Sequence, residues 1–119
     1  MPLEPPTVIT NSSSLTSSQS FTSENTVLSC TARAYPLPVI TWLLNGRYLP
    51  GQPSVNSSVP QSSISNFQII NQVANLALTS VLNITNVVAA NAGTYTCQIA
   101  NSFGSTSYQI ALRVQTRSK

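Results

Sequence analysis

Residues 91 to 97 read NAGTYTC, with Gly93, Tyr95 and Cys97 on alternate positions. If the segment is a strand, all three share one face, because successive side chains point to opposite sides of the pleat. A phenol and a thiol on one inward face need a second layer to pack against. The same period of two recurs along the chain. It runs through Leu28, Cys30 and Ala32, then Ile40, Trp42 and Leu44, then Tyr95, Cys97 and Ile99, then Tyr108, Ile110, Leu112 and Val114. Residues 75–84, NLALTSVLNI, are the best helical competitor, yet Leu76, Leu78, Leu82 and Ile84, with Ser80 among them, keep the strand period.

Turn signals separate these runs: YPLP at 35–38, NG at 45–46, PGQPS at 50–54 and NSFGS at 101–105. The pattern predicts an all-β chain of seven to eight strands. They are drawn from segments near 6–10, 14–20, 25–34, 38–44, 47–49, 66–72, 76–84, 93–101 and 105–115, the second and fifth carrying the least pattern. Residues 50–65, rich in proline and serine, read as a long surface connection. At 119 residues the chain is expected to form one domain, with its core at about 6–115 and a tail at 116–119. Pro5 and Pro6 read as a joint before the first strand.

Composition narrows the function classes. Charged residues are 6% of the chain, against roughly 25% for an average soluble protein. Solubility must then rest on hydroxyls, amides and any attached sugar. The net charge of +3 comes from Arg33, Arg47, Arg113, Arg117 and Lys119 against Glu4 and Glu24. Three of the five cations fall in 113–119, so the positive charge describes a tail rather than a nucleic-acid-binding face. Histidine and aspartate are absent from the sequence, which argues against acid–base catalysis and against a metal site, and no cofactor motif is found. No apolar run approaches the roughly 20 residues that span a bilayer, so this segment is not expected to insert into a membrane. The opening residues, MPLEPPTVIT, lack the basic end and apolar middle of a secretory signal. If the natural protein is exported, this is an excised piece with an added initiator Met.

Cys30 and Cys97, the two cysteines of the sequence, are either a disulfide or two free thiols. Both have inward parity, as a bridge between facing sheets requires. Trp42, twelve positions after Cys30, has inward parity on the next strand. The order Cys, Trp, Cys is the pattern of immunoglobulin domains. Tyr95, two residues before Cys97, then stands where such folds carry a tyrosine whose hydroxyl bonds the backbone a few residues upstream. The alternative is a plain core aromatic. Gly93 gives the backbone room to turn there.

Most of the chain resembles an immunoglobulin-like domain of the I-set, as found in neural cell-adhesion molecules, receptor tyrosine kinase ectodomains and muscle proteins. The resemblance runs through LSCTARAYPLPVITW at 28–42, LNITNVVAANAGTYTCQIANSFG at 82–104 and IALRV at 110–114. It implies a two-sheet antiparallel Greek-key sandwich with one inter-sheet disulfide, Cys30 to Cys97. One departure stands out. The family's usual Asp, which commonly pairs with Arg or Lys, is Asn91 here, and no basic residue lies between Arg47 and Arg113. A neutral hydrogen bond is expected in place of that pair.

Function has to come from sites rather than from the fold. Three glycosylation sequons are present, at Asn11, Asn56 and Asn83. Together with a disulfide they favour an extracellular setting. The expected role is non-catalytic: a recognition, adhesion or spacer module of a multi-domain cell-surface receptor or adhesion molecule. It would meet a protein ligand or a homophilic partner, and neighbouring domains of its own chain. Val39, Leu43, Tyr48 and Leu49 are the candidate contact residues, being apolar at or just after the outward face of the Trp42 strand. The alternative is an intracellular structural repeat of the muscle or cytoskeletal type, with reduced cysteines and no sugar.

Overall fold

The computed structural model describes residues 4–8, 17–49, 66–74 and 77–115. Nine strands form among them: β1 (Glu4–Val8), β2 (Ser17–Phe21), β3 (Thr26–Tyr35), β4 (Val39–Leu44), β5 (Arg47–Tyr48), β6 (Phe67–Ala74), β7 (Ala77–Ile84), β8 (Gly93–Asn101) and β9 (Gly104–Gln115). A short 3-10 turn, Ala89–Asn91, precedes β8. The strands make a sandwich of two sheets, ordered β1-β3-β7-β6 and β2-β9-β8-β4-β5. Two expectations need correction. Pro5 and Pro6 lie within β1 rather than ahead of it, and the register against β3 shifts between Glu4 and Thr7. Proline cannot donate to a ladder, so an edge strand with an irregular register is where it is tolerated. The sandwich is also not wholly antiparallel, because β2 runs parallel to β9, from Ser17 opposite Ala111 to Phe21 opposite Gln115. Alternation in a sequence fixes which face a residue takes but says nothing of a neighbouring strand's direction.

The period of two becomes the core. Along β7 every second residue is buried, Leu78, Ser80, Leu82 and Ile84, and β8 buries Tyr95, Cys97 and Ile99. Leu28, Cys30 and Ala32 from the first sheet face Ile40, Trp42, Leu44, Ile110 and Leu112 from the second. Cys30 and Cys97 join the two layers, with Cα atoms 6.5 Å apart. Trp42 is fully buried beside Cys97 in register, and Ser80 lies beside Cys30. The indole Nε1–H of Trp42 donates to Ser80 Oγ at 2.8 Å, crossing the same gap as the disulfide. The serine that interrupts an apolar alternation is therefore the acceptor that the buried indole needs.

The disulfide closes a sequence separation of 67. A Cys30→Ala/Cys97→Ala double variant is expected to lose about 4 kcal/mol of unfolding free energy on the loop-entropy model. Guanidinium denaturation followed by Trp42 fluorescence measures this. A loss under about 1 kcal/mol would show that packing, not the bridge, holds the layers together.

Candidate contact face and its support

The Asn45-Gly46 pair turns β4 into β5 with φ of +51° and +83°, the left-handed geometry of a two-residue hairpin. This turn sets Leu44 opposite Arg47 and Leu43 opposite Tyr48. Leu43 and Tyr48 are both half-buried on the outer face of the five-stranded sheet, and Val39 is 54% exposed on the same side. Leu49 does not belong with them. One residue beyond Tyr48 reverses the face, and the Leu49 N–H donates to the Trp42 carbonyl at 3.1 Å. Its side chain is fully buried in the core. The candidate surface is therefore Val39, Leu43 and Tyr48, bordered by Thr41, Thr96, Gln98, Ser107 and Gln109 on neighbouring strands. The outward positions of β4 and β8, and those of β9 from Ser105 to Ala111, carry no charge. A face of this composition offers shape, apolar contact and neutral hydrogen bonds rather than charge.

The base of this sheet is held by amides. Asn45 Oδ1 accepts from the Thr94 N–H at 3.0 Å, while the Asn45 N–H donates to the Thr94 carbonyl at 2.9 Å. Gly93 has φ +149°, and a Cβ there would stand 2.6 Å from the Asn45 side-chain oxygen and nitrogen. Glycine serves the close approach of Asn45 here as well as the backbone turn.

Asn91 is fully buried. Its Oδ1 accepts from the Val88 N–H at 2.8 Å and from Asn66 Nδ2 at 3.0 Å, and its Nδ2 donates to Asn66 Oδ1 at 3.1 Å. The neutral bond that replaces an ion pair is thus a reciprocal amide pair, with Asn66 as the partner. Asn66 Nδ2 also donates to the Thr85 carbonyl at 2.8 Å. No periodicity marks Asn66, and a contact between residues 25 positions apart leaves no local trace. Above this pair, the Tyr95 hydroxyl donates to the Asn91 carbonyl at 2.6 Å, and the Tyr95 ring meets Phe67 edge-on at 6.2 Å. Burial pushes the Tyr95 hydroxyl well above its ordinary pKa.

Of the sequons, Asn83 lies on β7 between buried Leu82 and Ile84, on the outer face of the four-stranded sheet. Asn11 and Asn56 lie outside the described residues. Among the described residues no group of three or more potential metal ligands occurs, and no helix is long and apolar enough to cross a membrane.

Two layers bridged by Cys30–Cys97, a tryptophan packed beside the bridge and a tyrosine tied to the backbone below it define an immunoglobulin-type sandwich. The family model described as "Immunoglobulin domain" matches residues 5–101, and the chain belongs to that family. Among curated proteins it is 31% identical over 78 residues to the human cell adhesion molecule DSCAML1, covering 66% of this chain and 3% of that protein. It is 33% identical over 88 residues to human Roundabout homolog 2, covering 74% of this chain and 5% of that protein. The chain thus spans a few per cent of the length of these relatives. Among solved structures, a complex of Dpr2 Ig1-Ig2 with DIP-Theta Ig1-Ig3 superposes with a TM-score of 0.75 at 22% identity, over 94% of this chain and 33% of that one. The titin tandem A164-A165 does so with a TM-score of 0.75 at 18% identity, over 97% of this chain and 51% of that one. In keeping with this family and these relatives, the module is not an enzyme.

Two outcomes test the support of the face. Asn66→Ala strands the amide nitrogen of buried Asn91 and is expected to lower stability by about 1–3 kcal/mol, read by thermal or chemical unfolding. An effect near zero would mean that the amide pair carries no weight. The second concerns pH. Because the folded protein holds the Tyr95 proton more tightly than the unfolded chain does, this stabilisation is complete below about pH 10 and is lost as pH rises beyond it. Absorbance at 295 nm should contain a late component that coincides with the loss of near-ultraviolet dichroism and disappears in Tyr95→Phe.

Proposed function

We propose that the chain is an extracellular recognition module of the I-set type, within a multi-domain cell-surface adhesion molecule or receptor. It meets a protein partner through the outer face of its five-stranded sheet. The observation that carries this reading is the face itself: Val39, Leu43 and Tyr48 stand outward beside the charge-free outward positions of β4 and β8. Lone exposed apolar residues are ordinary, but three on adjoining strands with neutral surroundings have the composition of an interface core. The similarity to a cell adhesion molecule and to Roundabout homolog 2 supports the setting, and the small fraction of those proteins that the chain matches suits one module among several. The Dpr2–DIP-Theta structure is a complex between proteins whose modules share this fold. The bridge between Cys30 and Cys97 fits an oxidising compartment.

The titin structures favour a second reading, an intracellular structural repeat. Intact mass without reduction separates the two, since a bridge lowers the mass by two hydrogens and free thiols in the native protein would remove the extracellular reading. Light scattering across concentration then tests the face. A mass that rises with concentration and returns to monomer in Leu43→Lys, with unfolding unchanged, is the result expected of a homophilic partner. A strict monomer assigns the face to a different protein, whose binding the same substitution should weaken at least tenfold, about 1.4 kcal/mol.

A further inference from the structure

The opposite face of the sandwich carries a second apolar strip, and a modification signal sits at its centre. On the outside of the four-stranded sheet, Asn83 of β7 is flanked by Val27 of β3 and Gln68 of β6. Two residues back along β7, Val81 lies between Ser29 and Ile70. Val27 is 55% exposed, Ile70 is 40% exposed and Val81 is half-buried. Directly opposed side chains of a sheet stand about 5 Å apart and diagonal ones about 8 Å, so Val27 and Ile70 both lie within one sugar ring's reach of Asn83.

A second feature of the same face points the same way. β6 is an edge strand, since the order is β1-β3-β7-β6. Its sequence, FQIINQVA, has no charge and no proline. Exposed edges are normally blunted by such residues, because unpaired backbone groups template pairing with another chain. At the other edge of this sheet β1 carries Pro5 and Pro6, and in the second sheet β5 is only two residues long. The β6 edge has no comparable guard among the described residues.

We propose that Asn83 carries an N-linked glycan whose first sugars lie over Val27, Val81 and Ile70, shielding this face and the β6 edge and leaving the five-stranded sheet as the contact side. The acceptor is Asn83-Ile84-Thr85. In the transfer, Asn83 Nδ2 forms a bond to the anomeric carbon of a lipid-diphosphate-linked oligosaccharide. The bond from that carbon to the phosphate oxygen breaks, the lipid diphosphate leaves and the amide loses one proton. The apolar ring faces of the sugars then cover the valine and isoleucine side chains, while their hydroxyls supply the solvation that this charge-poor chain lacks. The inference rests on the extracellular reading given above.

The test is secretion of the 119-residue chain from mammalian cells behind a cleavable secretory leader, as wild type, Thr85→Ser, which keeps the acceptor, and Thr85→Ala, which removes it. Thr85 is exposed, and its bonds to Asn66 are made by its backbone, so both substitutions spare the fold. Peptide mass spectrometry should find Asn83 occupied in wild type and Thr85→Ser and bare in Thr85→Ala. The bare form should bind several-fold more of a hydrophobic dye and self-associate, and Ile70→Thr in that background should reverse both effects. If Thr85→Ala is not secreted, enzymatic release of the glycan from a folded Asn11→Gln/Asn56→Gln variant, whose only sequon is Asn83, gives the same comparison. An oxidised, secreted protein with Asn83 unmodified overturns the proposal and leaves the extracellular reading standing. Occupancy without any change in dye binding on removal overturns the shielding role. Free thiols at Cys30 and Cys97 overturn the extracellular reading and this proposal with it.

Discussion

Two ties cross the sandwich side by side. The covalent one joins Cys30 to Cys97, and the polar one joins the Trp42 indole to Ser80. Trp42 neighbours Cys97 in one sheet and Ser80 neighbours Cys30 in the other, so the four residues form the corners of one closed unit. The bond fixes the separation of the layers, and the hydrogen bond fixes how the largest side chain of the core lies between them. Leu28, Ile40, Leu44, Leu78, Leu82, Tyr95 and Ile99 belong to the same core cluster as Cys30, Trp42 and Cys97. If the layers slid by one residue, the indole would lose its acceptor and the cysteines their parity together, so the register of both sheets is defined at one place.

The chain makes its other internal joints without charge. Where an ion pair would close the base of the sandwich, Asn91 and Asn66 exchange two hydrogen bonds, and the Asn91 carbonyl takes the Tyr95 hydroxyl. A buried ion pair incurs a desolvation cost that a neutral amide pair largely avoids, while an amide pair demands that each donor and acceptor find its mate. Among the described residues no buried side-chain nitrogen or oxygen is left without a partner. A sequence with 6% charged residues has thus been built consistently, with amides and hydroxyls doing inside what they also do on the surface.

What the sequence disclosed and what it hid follow from the range of each interaction. Alternation is local, so the inward faces of β3, β4, β7, β8 and β9, the two cysteines, Trp42 and Tyr95 could all be read directly. Leu49 could not. Its face depends on the hairpin register set by Asn45 and Gly46, and counting from that turn rather than from apolarity would have turned it inward. Ser80 looked like a flaw in an apolar run until the indole gave it a purpose. Asn66 and the parallel pairing of β2 with β9 depend on segments distant in sequence, which no periodicity encodes. Likewise, Gly93 is explained by Asn45, a residue on another strand's turn.

The two outer faces differ in a way that bears on recognition. Both are nearly uncharged, so neither generates the long-range field that speeds association between charged proteins, and salt has little to screen. The proposed binding through Val39, Leu43 and Tyr48 would then draw on short-range fit, with encounter at the slower rates typical of unsteered partners. Slow, unsteered encounter is tolerable where partners are held on opposed surfaces, since confinement raises effective concentration and several modules can engage at once. On the reading proposed above, a neutral face on one module among several suits a contact built by repetition, in which selectivity comes from shape and lifetime from number.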